Sequence, residues 1–73
     1  MKSLADLNPG ESAIIKDFND DEIALKLIEM GCLPGEEIQL IRIAPFGDPM
    51  AFKVADYILS LRKNEAKCVL LEN

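Results

Sequence analysis

The stretch from Asn19 to Gly35 limits most strongly what this chain can fold into, because it carries both a helix start and a helix stop. With Asn19 as N-cap, Glu22 falls at N3 as in a capping box, and Phe18 at N′ faces Ile23 at N4 as a hydrophobic staple. Asp20, Asp21 and Glu22 fill the first turn, where negative charge complements the helix dipole, and this is their reading in preference to metal ligation. At the far end Gly31 suits the left-handed C′ position, Cys32 at C″ can touch Leu27 at C3 in a Schellman arrangement, and Pro34 prevents continuation. The spacing predicts a helix from about Asp20 to Met30. Ile23, Ala24, Leu27, Ile28 and Met30 form its broad apolar face, with Glu22, Lys26 and Glu29 opposite. Leu25 fits neither group: from the margin beside the polar face it either reaches a wide core or stands out as an anchor for a partner.

Every other periodic segment reads as a strand. Ser12 to Phe18 is rich in β-formers and follows the turn signal Asn8-Pro9-Gly10, with Leu4 and Leu7 before it to pin the N-terminal segment onto the core. After the tight turn Leu33-Pro34-Gly35-Glu36, the run from Glu37 to Ile43 alternates, but Ile38 and Leu40 share one face while Ile41 and Ile43 share the other. A bulge or bend between Leu40 and Ile41 accounts for the change of phase. Ala44 to Pro49 is a loop whose two prolines cannot donate to a ladder. Met50 to Val54 and Tyr57 to Leu61 follow, joined at Ala55-Asp56. A polar turn over Arg62 to Ala66, with room for one helical turn, then leads into a last strand, Lys67 to Glu72. The order β, α, β, β, β, β suits a small, partly open barrel of about five strands with the helix inserted after the first long strand. Such bends let small barrels close and leave few exposed edges. With 73 residues and 49% hydrophobic side chains, the chain is expected to be one domain, residues 1–73, with a thin core.

Charge and residue type exclude several functions. Eight Lys+Arg against 13 Asp+Glu give a net charge of -5, which argues against binding phosphate backbones, and the few aromatics make no base-stacking platform. No apolar run exceeds Cys68-Val69-Leu70-Leu71, far short of a bilayer span, and Met1-Lys2-Ser3-Leu4-Ala5-Asp6 lacks the apolar region of a signal peptide, so a cytoplasmic place without membrane insertion is expected. Histidine is absent, and with it the commonest transition-metal ligand and general base. Cys32 and Cys68 read as two reduced core thiols rather than a disulfide. There is no Ser/His/Asp set, no Cys/His pair, no CxxC and no glycine-rich nucleotide loop. Glu36-Glu37 and the acids of the helix start read as solvated charge. No catalytic, metal or cofactor residues are assigned, and the chain reads as a non-enzyme.

Three segments carry a resemblance: Leu27 to Gly35, with Met30-Gly31-Cys32-Leu33-Pro34-Gly35 at its end; Ile43-Ala44-Pro45-Phe46-Gly47-Asp48-Pro49; and Leu59 to Ala66, containing Leu61-Arg62. Together with the opening Leu4 to Glu11 they are similar to the FeoA family over nearly the whole chain. Gly31, Pro34, Gly35, Pro45, Gly47, Asp48, Pro49, Leu61 and Arg62 are the motif positions. The sequence departs from the family's pattern in a helix with less arginine, supplied only with Lys26, and in lacking a glycine that is often found near Ala55-Asp56. The resemblance implies an SH3-like β-barrel and an accessory role in bacterial ferrous iron transport. The implied partner is FeoB, a membrane permease carrying a G-protein domain, and self-association is a second possibility.

The turns fit a binding module. Leu33 and Phe46 are apolar residues that a turn does not itself require; they either fold back to seal the barrel ends or stand out as anchors. Leu25, Lys26, Leu33, Pro34 and Phe46 are the candidate partner contacts. Asp48 is expected to cap its own turn. Two other function classes are consistent with the sequence: a metal-sensing or iron-carrying protein using carboxylates with Cys32 or Cys68, and an SH3-like adaptor for proline-rich peptides, the latter disfavoured by the scarcity of aromatics.

Overall fold

The first strand, β1 (Ser12–Phe18), changes partners halfway along its length. A computed structural model describes residues 2–72. In it Ser12, Ala13 and Ile14 pair with β2 (Glu37–Ile43), whereas Ile15, Asp17 and Phe18 pair with β5 (Val69–Leu71), and Lys16 is the extra residue of a bulge inside the second set, between Ile15 and Asp17 and just past the change of partner. Bulges bend a strand and increase its twist, which lets one strand belong to two walls of a barrel. With β3 (Met50–Val54) and β4 (Tyr57–Leu61) the strands form one antiparallel sheet in the order β4-β3-β2-β1-β5, and the fold is mainly β with an SH3-like architecture. The bounds of β1 to β4 coincide with the runs read in the sequence. The expected phase change in β2 is a second bulge, at Ile41, between the pairs Leu40↔Phe52 and Arg42↔Ala51. The last strand is shorter than expected, three residues long, because Lys67 and Cys68 complete a preceding helical turn.

Inward-facing residues of every strand meet in one core, with Ile15, Ile38, Leu40, Phe52, Val54, Leu61, Val69 and Leu71 all essentially without exposure. Leu4 and Leu7 join it from the short 3₁₀ turn Leu4–Asp6, as expected. That segment also lies along the free side of β5: Ser3 bridges Leu70, and the Leu71 N–H donates to the Lys2 carbonyl at 2.9 Å. Met1 and Asn73, the ends of the expected single domain, lie outside the described residues.

The inserted helix, α1, spans Asp21–Glu29, one residue shorter at each end than expected. Its N-cap is Asp20, whose Oδ1 accepts from the Ile23 N–H at 3.0 Å, and not Asn19. Asn19 is unavailable because its N–H donates to the Cys68 carbonyl at 3.0 Å and so prolongs the β1–β5 ladder. With the cap moved, Glu22 sits at N2 and no capping box forms, although Phe18 and Ile23 both pack on the core. The expected stop is present in full. The Cys32 N–H donates to the Leu27 carbonyl at 2.9 Å, the Gly31 N–H donates to the Ile28 carbonyl at 3.0 Å, and Gly31 has φ +93°. The Tyr57 hydroxyl, reaching over from β4, donates to the Met30 carbonyl, and a Cβ on Gly31 would run into that hydroxyl.

The polar turn read over Arg62 to Ala66 uses its room for one helical turn: Lys63–Ala66 forms a second short helix, α2, with Glu65 and Ala66 buried. Glu65 is only 9% exposed, yet both its oxygens are satisfied: Oε1 accepts from the Arg62 N–H at 2.9 Å and Oε2 from Lys26 Nζ at 2.5 Å. The Lys26 ammonium foremost, then the Arg62 N–H, hold the Glu65 carboxyl below its usual range. Lys26 is largely exposed, so water screens the Coulombic part of that pairing.

Three stability outcomes follow from this geometry. Gly31→Val places a Cβ in the left-handed region and against Tyr57, so thermal melting is expected to show a loss of about 1–2 kcal/mol, or roughly 4–16 °C; an unchanged midpoint would mean that the helix can end another way. Ala55, in the β3–β4 turn, has φ +52°. Relief of its left-handed strain, about 1–2 kcal/mol, outweighs the entropy that glycine adds to the unfolded chain, about 0.4–1 kcal/mol, so Ala55→Gly is expected to raise the midpoint. For Glu65 the folded-state pKa lies below the unfolded one, so its contribution is complete above the ordinary glutamate range near 4.3 and is lost as the pH falls through the lowered value. Urea unfolding should find Glu65→Gln less stable than the parent by about 1–3 kcal/mol at neutral pH, with the gap closing in acid. A gap that does not change with pH would contradict this assignment.

Candidate functional site

The residues expected to meet a partner occupy two separate places. Leu27 points α1 at the core, and Leu25, roughly 200° around the helix from it, points away and is 67% exposed. Leu25 is therefore on the outward face and not at the margin. Ile28, expected on the buried face, lies one turn further along and is exposed too, so the two form an apolar stripe among the exposed acids Asp21, Glu22 and Glu29. The buried face is narrower than its composition suggests because a single helix laid on a small barrel covers little of its own circumference. Leu33, 43% exposed, and Pro34, also exposed, follow in the turn into β2. Lys26 leaves this group: its ammonium is turned onto Glu65 and ties α1 to α2.

The second place is the β2–β3 loop. Phe46 is 98% exposed at its tip. The loop beneath it is closed by the Ala44 N–H donating to the Pro49 carbonyl at 3.0 Å and the Gly47 N–H donating to the Ala44 carbonyl at 2.8 Å, with the Asp48-Pro49 bond cis. Asp48 does not cap this loop. Its Oδ1 accepts from the Lys63 N–H at 2.9 Å, at the start of α2, where a helix has N–H groups without intrahelical partners. A shallow cleft at the loop base is lined by Arg42, Ala44, Pro45, Pro49, Ala51 and Ser60. Neither Leu33 nor Phe46 folds back to seal a barrel end. One precedes β2 and the other follows it, so the two turns lie at opposite ends of that strand and not in a single cluster.

Both cysteines are free; Cys32 is a core thiol as expected, whereas Cys68 is only partly buried and not part of the core, because it ends the helical turn before β5. Burial raises the Cys32 thiol above its ordinary pKa and so disfavours the thiolate that metal binding or nucleophilic attack requires. Among the described residues, no three Cys, Asp or Glu side chains converge in a group that could hold a metal ion. Sequence reasoning left five further exposed apolar residues out of the candidate surface: Ile28 on α1, Ile41 and Ile43 on β2, and Tyr57 and, most exposed of them, Ile58 on β4. The alternation of β4 placed Ile58 opposite Tyr57, Leu59 and Leu61, and that was the signal for it.

The FeoA domain family matches residues 2–73. Over 70 residues the chain is 31% identical to the Fe(2+) transport protein A/Fe(2+) transporter FeoB fusion protein of Porphyromonas gingivalis, a match that takes in 94% of this chain and 8% of the fusion's length. Among solved structures it is similar to iron(II) transport protein A of Clostridium thermocellum, with 40% identity, a TM-score of 0.89, and coverage of 97% of this chain and 44% of that one. It is similar as well to the zinc complex of Stenotrophomonas maltophilia FeoA, a procaryotic SH3 domain protein, with 30% identity, a TM-score of 0.85, and coverage of 99% and 91%. Family match, relatives and fold agree: this chain belongs to the FeoA family.

Proposed function

We propose that this chain is a non-enzymatic, cytosolic accessory protein of bacterial ferrous iron uptake, a single domain over residues 1–73. It acts by contact with the cytoplasmic region of a FeoB-like permease. The observation that carries the reading is the Porphyromonas gingivalis relative, in which a FeoA portion and FeoB share one chain. Covalent union holds two modules at high effective concentration, an arrangement that suits partners working through contact. No helix among the described residues is long and apolar enough to cross a membrane.

Contact would be made through Phe46 and through the Leu25, Leu33 and Pro34 stretch. Interface energy concentrates in a few apolar anchors, and an anchor held rigid before binding loses little entropy when it docks. Phe46 meets both conditions, being fully exposed on a loop closed by its own backbone bonds and tied to α2 through Asp48.

Leu25→Ala, Leu33→Ala and Phe46→Ala separate anchors from core residues when melting and binding to the FeoB cytoplasmic region are measured side by side. Melting should stay near that of the parent for all three. Phe46→Ala is expected to weaken binding by about 1–4 kcal/mol, at least roughly fivefold. Early melting of all three variants, or parental binding by three folded variants, would move the contact elsewhere on the barrel.

A further inference from the structure

The two edges of the sheet are treated differently. On β5 the free side is occupied by the N-terminal segment, through the Ser3–Leu70 bridge and the bond from the Leu71 N–H to the Lys2 carbonyl. On β4 nothing comparable exists among the described residues. The strand ends the sheet order, its backbone pairs with β3 alone, and α1 meets it through the Tyr57 side chain without taking any of its backbone groups. Proteins usually guard such an edge with lysine, proline, a bulge or a covering segment. Tyr57-Ile58-Leu59-Ser60-Leu61 has no charge and no proline, and it pairs with β3 through five successive positions without a shift of register. Ile58, 64% exposed, stands on its outer face.

We infer that β4 is a self-association edge and that its occupant is β4 of a second copy of this chain, paired antiparallel about a two-fold axis through Leu59. Such a pairing makes one continuous sheet only if directly opposed residues lie on the same face, which restricts the register to steps of two. Centred on Leu59, the pairing sets Tyr57 against Leu61, Ile58 against Ser60, and exposed Asp56 against exposed Arg62, twice over by symmetry. Centring on Ile58 or on Ser60 loses both charge pairs, because Asp56 then meets Ser60 or Asn64. The register centred on Leu59 therefore joins apolar contact, free backbone groups and opposite charges. The net charge of -5 on each copy opposes association at long range, but at physiological ionic strength that repulsion is screened beyond about 8 Å.

The test is a sedimentation series of the full chain from micromolar to millimolar concentration at physiological salt, with hydrogen exchange on residues 57–61. The mass should rise toward twice that of the monomer as the β4 amides become protected. Ile58→Lys, an exposed substitution that should keep its melting temperature, is expected to hold the chain at monomer mass. Asp56→Arg and Arg62→Asp each set like charges opposite one another in the homodimer and should stay monomeric when alone, whereas an equimolar mixture of the two pairs Arg with Asp at both contacts and should dimerise. A parent chain that remains monomeric at millimolar concentration overturns the inference. So does a dimer indifferent to Ile58→Lys, a mixture of the charge variants that fails to associate, or β4 protection that arises only on adding the FeoB cytoplasmic region.

Discussion

Ile15 stands where this small barrel is joined together. Its Cα pairs with Leu71 of β5, its N–H donates to the Glu36 carbonyl at 3.0 Å, and its carbonyl accepts from the Gly35 N–H at 2.8 Å, while its side chain is completely buried. The strand that sends the chain out into α1 is thus the strand to which the chain returns after the helix. Because β1 serves β2 on one side of this point and β5 on the other, strands distant in sequence are brought onto one core. A chain this short buries only roughly 60% of the surface its unfolded form exposes, so a β1 that served β2 alone would leave β5 unpaired beside an already thin core.

What the sequence made legible was whatever local chemistry decides. Alternation and proline-bearing loops gave four strands their bounds, the change of phase in Glu37 to Ile43 located a bulge, and Gly31 with Cys32 foretold a Schellman stop realised in both its hydrogen bonds. The misreadings share one cause, competition from residues remote in the chain. Asn19 is a good capping residue, but its N–H is claimed by Cys68, across the barrel. Asp48 has the sequence context of a turn cap, but Lys63 offers a better donor. The burial of Glu65 within what read as a polar turn went unforeseen because its partner Lys26 lies 39 positions away. For the candidate surface, periodicity set out the choice for Leu25, Leu33 and Phe46 between core and solvent without making it; the width of the face that a single helix can bury settled it for Leu25 and left Ile28 exposed as well.

The short helix α2 gives the two exposed apolar places a fixed relation. Glu65 receives Lys26 from α1, and the Lys63 N–H donates to Asp48 of the β2–β3 loop. Four residues thereby connect the helix carrying Leu25 to the loop carrying Phe46. A surface assembled from such distant segments loses affinity if its parts move independently, since each must be ordered on binding. The buried, fully bonded carboxylate of Glu65 reduces that freedom, so a residue that touches no partner can still govern how well two contacts are presented together.

The antiparallel bridge between Ser3 and Leu70 has a geometric outcome of another kind. Together with the bond from the Leu71 N–H to the Lys2 carbonyl, it sets the first and last described segments of the chain side by side at the edge of the sheet. Extra chain attached at either end leaves from nearly the same point, so the domain can hang from a larger assembly as from a stalk while its helix and loops turn freely outward. The same neighbourhood makes the order of segments along the chain almost irrelevant to the shape. A peptide joining the old ends, with a new opening cut in an exposed loop, would trace the same barrel, and a gene fusion at either end would leave its walls undisturbed.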